Sequence, residues 1–344
     1  MEQQYPQPKK EYKVLVSCFT FNQSKYIEDT LNGFVMQKTD FPFVCVVVDD
    51  CSTDGEQEVI KDFLERECKM EEAEHFDNEN AIIIHVSHKS NPNCIFATYF
   101  LKKNLYKQQE KKTSLMSLWR NCCKYEALCE GDDYWIDPLK LQKQVDFMDA
   151  HEDYGLCFTD FNLTKGKRNH RSLVKEDGNY LPEIFSSKVQ IGTLTVLYRL
   201  DLFKKLPRCF RNKNWRMGDH PLWIEFAHES KLKYLPSITA NYRITENSAS
   251  HNEDIQKEIE FIKSAYEIKK FYSEYYNFRY SESKKRCYLN IMRIVFKHQD
   301  RKYAHKYLKL AYKEKAFSLK FLIFYFGTIS GIIRYLINNM FYKE

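Results

Sequence analysis

A chain of 344 residues has room for one large or two modest domains and for a substantial core. Hydrophobic and charged residues make up 43% and 29%, an ordinary globular balance, and residues 1–13 are too polar for a secretory leader. Eleven cysteines occur without a Cys-x-x-Cys pair or zinc-like spacing, which argues against a zinc module and for reduced thiols in a cytoplasmic protein. The net charge of +6 sits at the C-terminal end, where residues 296–344 hold ten Lys/Arg against three Asp/Glu.

Residues 13–18 read as a buried strand running into Phe19, Thr20, Phe21 and Asn22, then a helix with Tyr26, Ile27, Leu31 and Val35 on one face. Residues 43–48 are apolar on both faces and rich in valine, as a strand of a parallel sheet requires. They end in Asp49-Asp50-Cys51-Ser52-Thr53-Asp54-Gly55, and the helix that follows carries Val59, Ile60, Phe63 and Leu64. Ser52 or Thr53 suits its N-cap. Residues 65–80 are charged and read as an exposed loop, and residues 81–86 as a third strand. This β-α-β-α-β alternation predicts an open, mostly parallel sheet with helices on both faces, whose ligands bind outside the carboxyl ends of the strands. No Gly-x-Gly-x-x-Gly follows the first strand and no Walker-type loop occurs, so a dehydrogenase or P-loop enzyme is disfavoured.

The most informative stretch is residues 125–135. A short apolar run, Ala127-Leu128-Cys129, breaks at Gly131 into Asp132 and Asp133, with Tyr134 and Trp135 behind them. This predicts a buried strand ending in a tight turn that projects two carboxylates from its C-terminal edge. Adjacent carboxylates repel, and Mg²⁺ or Mn²⁺ takes one or two of them together with substrate phosphates. The competing reading is a polar turn that caps a helix starting near Pro138. Further on, residues 139–148 read as a helix, 156–160 as a strand and 164–178 as a polar, basic loop. Residues 191–199 alternate threonine with apolar residues, as a half-buried strand does. Gly218-Asp219-His220 opens a helix with Leu222, Ile224 and Phe226 inside; Asp219 is either its N-cap or a carboxylate aimed into the cleft, and His220 reads as a surface residue.

Five segments (14–22, 46–55, 127–138, 218–223 and 242–250) resemble, in order and in approximate spacing, those of the family 2 glycosyltransferases. The resemblance covers residues 13–251. It implies an α/β catalytic domain of the GT-A fold over residues 1–251, a Rossmann-like open mixed sheet with helices on both faces. The activity it implies is metal-dependent, inverting transfer of a sugar from a nucleotide-sugar donor, expected to be UDP-linked. The acceptor would be a glycan or lipid-linked hydroxyl, in surface polysaccharide synthesis. By position, Phe19 and Asn22 fall where the base is cupped, Asp50 where it is bonded and Asp132 where the ribose is met. Asp133 matches the ligand of Mn²⁺ or Mg²⁺, and Asp219 the general base. Thr245 stands where many relatives carry a histidine, which leaves His251 as a candidate phosphate contact or metal ligand against a plain surface histidine.

The region 252–344 reads as all-helical, with apolar stripes at Ile255, Ile259, Ile262 and Tyr266 and beyond. Residues 317–341 are strongly apolar, but only thirteen uncharged residues separate Lys320 from Arg334. A spanning helix needs about 20. Beside the lysine excess this fits an interfacial segment on an anionic membrane, on the inner face of the cell membrane, better than a span; packing on a partner is the alternative. Two other functions compete: a nucleotidyltransferase using the same strand-end carboxylates, and a catalytically silent scaffold. Nucleic acid is not an expected partner, because the basic tail is interleaved with long aliphatic runs.

Overall fold

The computed structural model describes residues 8, 10–106, 113–164, 169–170, 178–186, 189, 191–209, 215–245, 254–278, 284–331 and 333–334. In chain order the elements are β1 (Tyr12–Thr20), α1 (Ile27–Val35), β2 (Phe43–Asp49), α2 (Glu56–Glu67), β3 (Glu74–Asp77), β4 (Ala81–Ser87) and β5 (Cys94–Leu101). They continue with α3 (Thr113–Arg120), β6 (Cys123–Leu128), β7 (Tyr134–Trp135), α4 (Lys140–Ala150), β8 (Tyr154–Leu163), β9 (Asn169–His170) and α5 (Leu181–Phe185). The remainder are β10 (Leu197–Arg199), α6 (Leu200–Lys205), α7 (Asp219–Glu229), β11 (Lys231–Tyr242), α8 (Ile255–Tyr275), α9 (Lys284–His298), α10 (Arg301–Lys313) and α11 (Leu319–Ile329). Two compact units result: residues 1–207 with 225–244, and residues 208–224 with 245–344.

The first unit holds one mixed sheet in the order β3-β4-β5-β2-β1-β6-β10-β8-β11-β7, with β9 on β8. Its centre, β5-β2-β1-β6, is parallel throughout. Parallel strands are covered on both faces, and here alternate residues divide between two cores. Val14, Val16, Phe43, Cys45 and Val47 pack with Leu31, Phe34, Ile60, Phe63 and Leu141, whereas Leu15, Val44, Val46 and Val48 pack with Leu115, Met116 and Trp119 of α3. The expected α/β sheet with helices on both faces is therefore present, and an all-α region follows it.

Several elements differ from expectation. The third parallel strand is β5, not the run at 81–86; β4 pairs antiparallel with β5 and makes the sheet mixed. Residues 65–80 are not a plain loop, since α2 runs to Glu67 and β3 pairs with β4. A strand that short and polar has no apolar alternation to betray it. Helix α2 starts after Gly55 in a left-handed conformation (φ 89°), and Asp54 Oδ1, rather than Ser52 or Thr53, accepts from Glu56 N at 3.1 Å. Of residues 191–199 only β10 is strand; Thr193–Thr195 form a 3₁₀ turn. The predicted loop at 164–178 lies mostly outside the described residues.

The second unit is held by a core of Ile259, Ile291, Met292, Val295, Phe296, Ala304, Tyr307, Phe321 and Phe324. Asp254, Asp300 and Ser318 cap α8, α10 and α11 by accepting from backbone N–H groups. Among the described residues no helix is long and apolar enough to cross a membrane. Residues 335–344 of the apolar tail lie outside the described residues.

Candidate functional site

The site is built around the carboxyl end of β1. Its neighbours β2 and β6 end beside it, so the loops after all three strands meet at one sheet edge. Asp50 N bonds to Thr20 O at 3.1 Å, and Gly131 N bonds to Phe19 O at 3.3 Å. Asn22, in the left-handed region (φ 55°) that asparagine tolerates, clips the first two loops together. Its N–H donates to Ser52 Oγ at 2.8 Å and its Oδ1 accepts from Thr53 N at 2.8 Å. Beneath them lies a buried carboxyl, Glu56. It accepts from Gln23 N and Ser52 Oγ, both at 2.8 Å, and also meets the Thr20 hydroxyl; burial raises its pKa.

Asp50 is fully buried and held by the segment after β5. Its Oδ1 accepts from Leu105 N at 2.8 Å, its Oδ2 from Tyr106 N at 3.2 Å, and its carbonyl from Asn104 Nδ2 at 2.8 Å. These backbone and side-chain donors fix Asp50 at the end of β2. The preceding Asp49 is equally buried; Oδ2 accepts from Ser52 N and Gln57 Nε2, while Oδ1 has no partner among the described residues.

Gly131 makes the turn after β6 possible, because an added Cβ would run into the Thr20 side chain. The turn is anchored by Thr30 Oγ1, which donates to Gly131 O at 2.9 Å and Asp133 O at 2.6 Å, and by Trp135 Nε1, which donates to Leu194 O at 2.9 Å. Burial raises Asp132, with its own N–H, Arg243 and Gln23 pulling the other way. Asp133 is only 3% exposed and is pushed up to about 9, first by burial and then by Glu130 and Asp132. Arg243 answers this pair. Its N–H donates to Asp133 Oδ1 at 2.8 Å and its guanidinium to Asp132 O at 3.0 Å and to Asp29. The guanidinium also lies 4.3 Å from the Tyr134 ring and 5.1 Å from that of Tyr26.

A divalent cation fits this arrangement. Among the described residues no three His, Cys, Asp or Glu side chains form a cage. Asp133 instead offers one hard oxygen ligand in a place where three acidic groups crowd together, the pattern in which phosphates and water complete the shell.

Phe19, Asn22, Asp50, Asp132 and Asp133 thus come together. Asp219 belongs to the second unit, in the first turn of α7, where a negative charge complements the helix dipole. His220 beside it is not a surface residue: it is half-buried, its Nε2 has no partner among the described residues, and burial with Lys269 pushes it down to about 4. His251 lies outside the described residues.

The model of glycosyl transferase family 2 matches residues 17–91, which span β1 to the turn before β5 and include Phe19, Asn22 and Asp50. An uncharacterised protein of Mycobacterium tuberculosis is 32% identical over 143 residues, 42% of this chain and 33% of that protein. The chain thus spans about a third of the length of the mycobacterial relatives it matches. TuaG of Bacillus subtilis, proposed as a teichuronic acid biosynthesis glycosyltransferase, is 25% identical over 255 residues, 70% of this chain and 83% of TuaG. A mannosyltransferase of Pyrobaculum calidifontis, solved with GDP-Man and Mn²⁺, superposes with a TM-score of 0.49 at 15% identity, over 99% of this chain and 90% of that one.

Beyond the family 2 segment, sequence reasoning missed Arg243, Glu130 and the Leu105–Tyr106 amides. Tyr242-Arg243 was visible as a motif, but its partner Asp133 is 110 positions away. The amides carry no side-chain signal at all.

Proposed function

We propose that the chain is a metal-dependent, inverting glycosyltransferase that moves a sugar from a nucleotide donor to a hydroxyl of a glycan or lipid-linked acceptor. The observation that carries this reading is that the loops bearing Asp50, Asp132 and Asp133 meet at the end of β1, with Asp133 buried against two other acidic groups. The family 2 match and the likeness to TuaG support the same reading and favour surface polysaccharide as the product.

Asp50 accepts from the base, which Phe19 flanks and the Asn22 clip helps to position. Asp132 accepts from a ribose hydroxyl. Asp133 would hold Mn²⁺ or Mg²⁺, which when bound would offset charge on the departing diphosphate. Arg243 fixes Asp133 in place. Asp219 takes the proton of the acceptor hydroxyl as that oxygen attacks the anomeric carbon from the face opposite the nucleotide. A nucleotide-sugar donor and eleven unbridged cysteines suit a cytoplasmic enzyme. UDP is the nucleotide we favour.

Titration calorimetry with UDP and GDP, with and without Mn²⁺, tests the first half: one nucleotide binds only with metal, and Asp133→Asn abolishes that signal. Nucleotide binding indifferent to metal and to Asp133→Asn would overturn it. Transfer from a screened nucleotide sugar tests the second half, since Asp219→Asn stops turnover and leaves donor affinity unchanged.

A further inference from the structure

We infer that the turn between α10 and α11 is a docking tip that inserts Tyr312, Phe317 and Leu319 into the headgroup layer of an anionic bilayer. The apolar content of α11 is mostly used inside the helical core, where Phe321, Phe324 and Tyr325 are buried. The turn is different. Tyr312 is 75% exposed, Leu319 76% and Phe317 40%, and the Tyr312 and Phe317 rings stack at 6.4 Å and 7° into a flat wedge. Large side chains left in water at one helix turn are unfavourable unless something covers them.

The wedge is rigidly presented. Ala316 N bonds to Ala311 O at 2.8 Å, Lys315 N to Tyr312 O at 3.1 Å, and Ser318 Oγ caps α11 by accepting from Phe321 N at 3.3 Å. Around it stand exposed Lys309, Lys313, Lys315 and Lys320, while the turn's one acid, Glu314, is paired with Lys284 at 2.8 Å. Lys315 occupies a left-handed position (φ 50°) where glycine is the common choice. A lysine there strains the backbone and adds a charge at the tip. Aromatic and aliphatic groups ringed by lysines match a bilayer interface carrying negative headgroups, and each lysine near such a surface strengthens binding about fivefold. This contact holds whether or not the first unit transfers sugar.

Sedimentation of the full chain with phosphatidylcholine vesicles, with and without phosphatidylglycerol, provides the test. Wild type co-sediments with the anionic vesicles, less so in high salt, and Tyr312→Ser/Phe317→Ser/Leu319→Ser weakens this at least tenfold with little change in Tm. Lys315→Gly separates docking from folding: it raises Tm and weakens vesicle binding about fivefold. Failure of wild type to bind anionic vesicles, or equal binding by the triple variant, overturns the proposal. So does a wild-type dimer that the triple variant converts to monomer without any vesicle binding, which would assign the wedge to a second copy of the chain.

Discussion

Arg243 ties the strand-end carboxyls to the rest of their unit through a backbone bond, two guanidinium contacts and two aromatic faces. Arg243→Ala removes the side-chain part and leaves Asp132 O short of a donor, at a cost of about 1–3 kcal/mol. Urea denaturation reads that loss, and Arg243→Lys recovers little of it because an ammonium lacks the planar fork. Lys140 makes a second case. It opens α4 and is fully buried, 4.3 Å from the Trp135 ring and bonded to Gln144 Oε1 at 2.8 Å. Burial pushes it down to about 8. Between that value and the unfolded pKa near ~10.4, the unfolded chain binds the proton and the folded chain does not, so stability rises with pH by up to ~1.4 kcal/mol per unit. Relative to Lys140→Met, wild type therefore gains Tm between pH 8 and pH 10; a constant difference across that range would contradict the burial argument. Asp132 and Asp133 were legible because a glycine breaks an apolar run just ahead of them. The arginine opposite them was not, because pairing across 110 residues leaves no local trace.

At the scale of elements, β1 and β2 could be read from composition because strands buried on both faces are apolar along most of their length, whereas β6 carries Lys124 and Glu126 and shows only its Ala127-Leu128 end. Strand β5 is just as apolar, but it follows β4 after a short turn, and nothing local says which of the two joins the parallel centre. The turn after β6 is the element on which the site depends. Gly131→Ala would press a methyl group against Thr20, whose hydroxyl is already fixed between Gln23 Oε1 and Glu56. Overpacking of this kind costs about 1–3 kcal/mol. The expected outcome is a lowered urea midpoint together with weaker nucleotide binding. An unchanged midpoint would mean that the Thr20 and Gln23 side chains, both within 2.5 Å of the added Cβ, give way at little cost.

At the scale of the molecule, the sequence suggests a boundary near residue 251, where the α/β pattern gives way to continuous helix. The compact units divide otherwise, because the chain enters the helical unit twice, at residues 208–224 and again from 245. No composition change marks the first entry; it shows only in contacts made within that unit. Trp215 packs against Phe271 at 5.5 Å and Tyr272 at 6.1 Å, Arg216 N bonds to Ser264 Oγ at 3.1 Å, and the Arg216 guanidinium pairs with Glu260. A chain cut after residue 251 keeps Trp215 and Arg216 and loses every one of these partners. It also loosens the segment that carries Asp219 into α7. Such a truncation is therefore expected to bind a hydrophobic dye, to melt well below the full chain and to lose transfer, while Asp50 and Asp133 still support metal-dependent nucleotide binding. A truncated chain that melts like the full protein and turns over a donor would mean that the helical region is an appendage and that residues 208–224 hold their place without it.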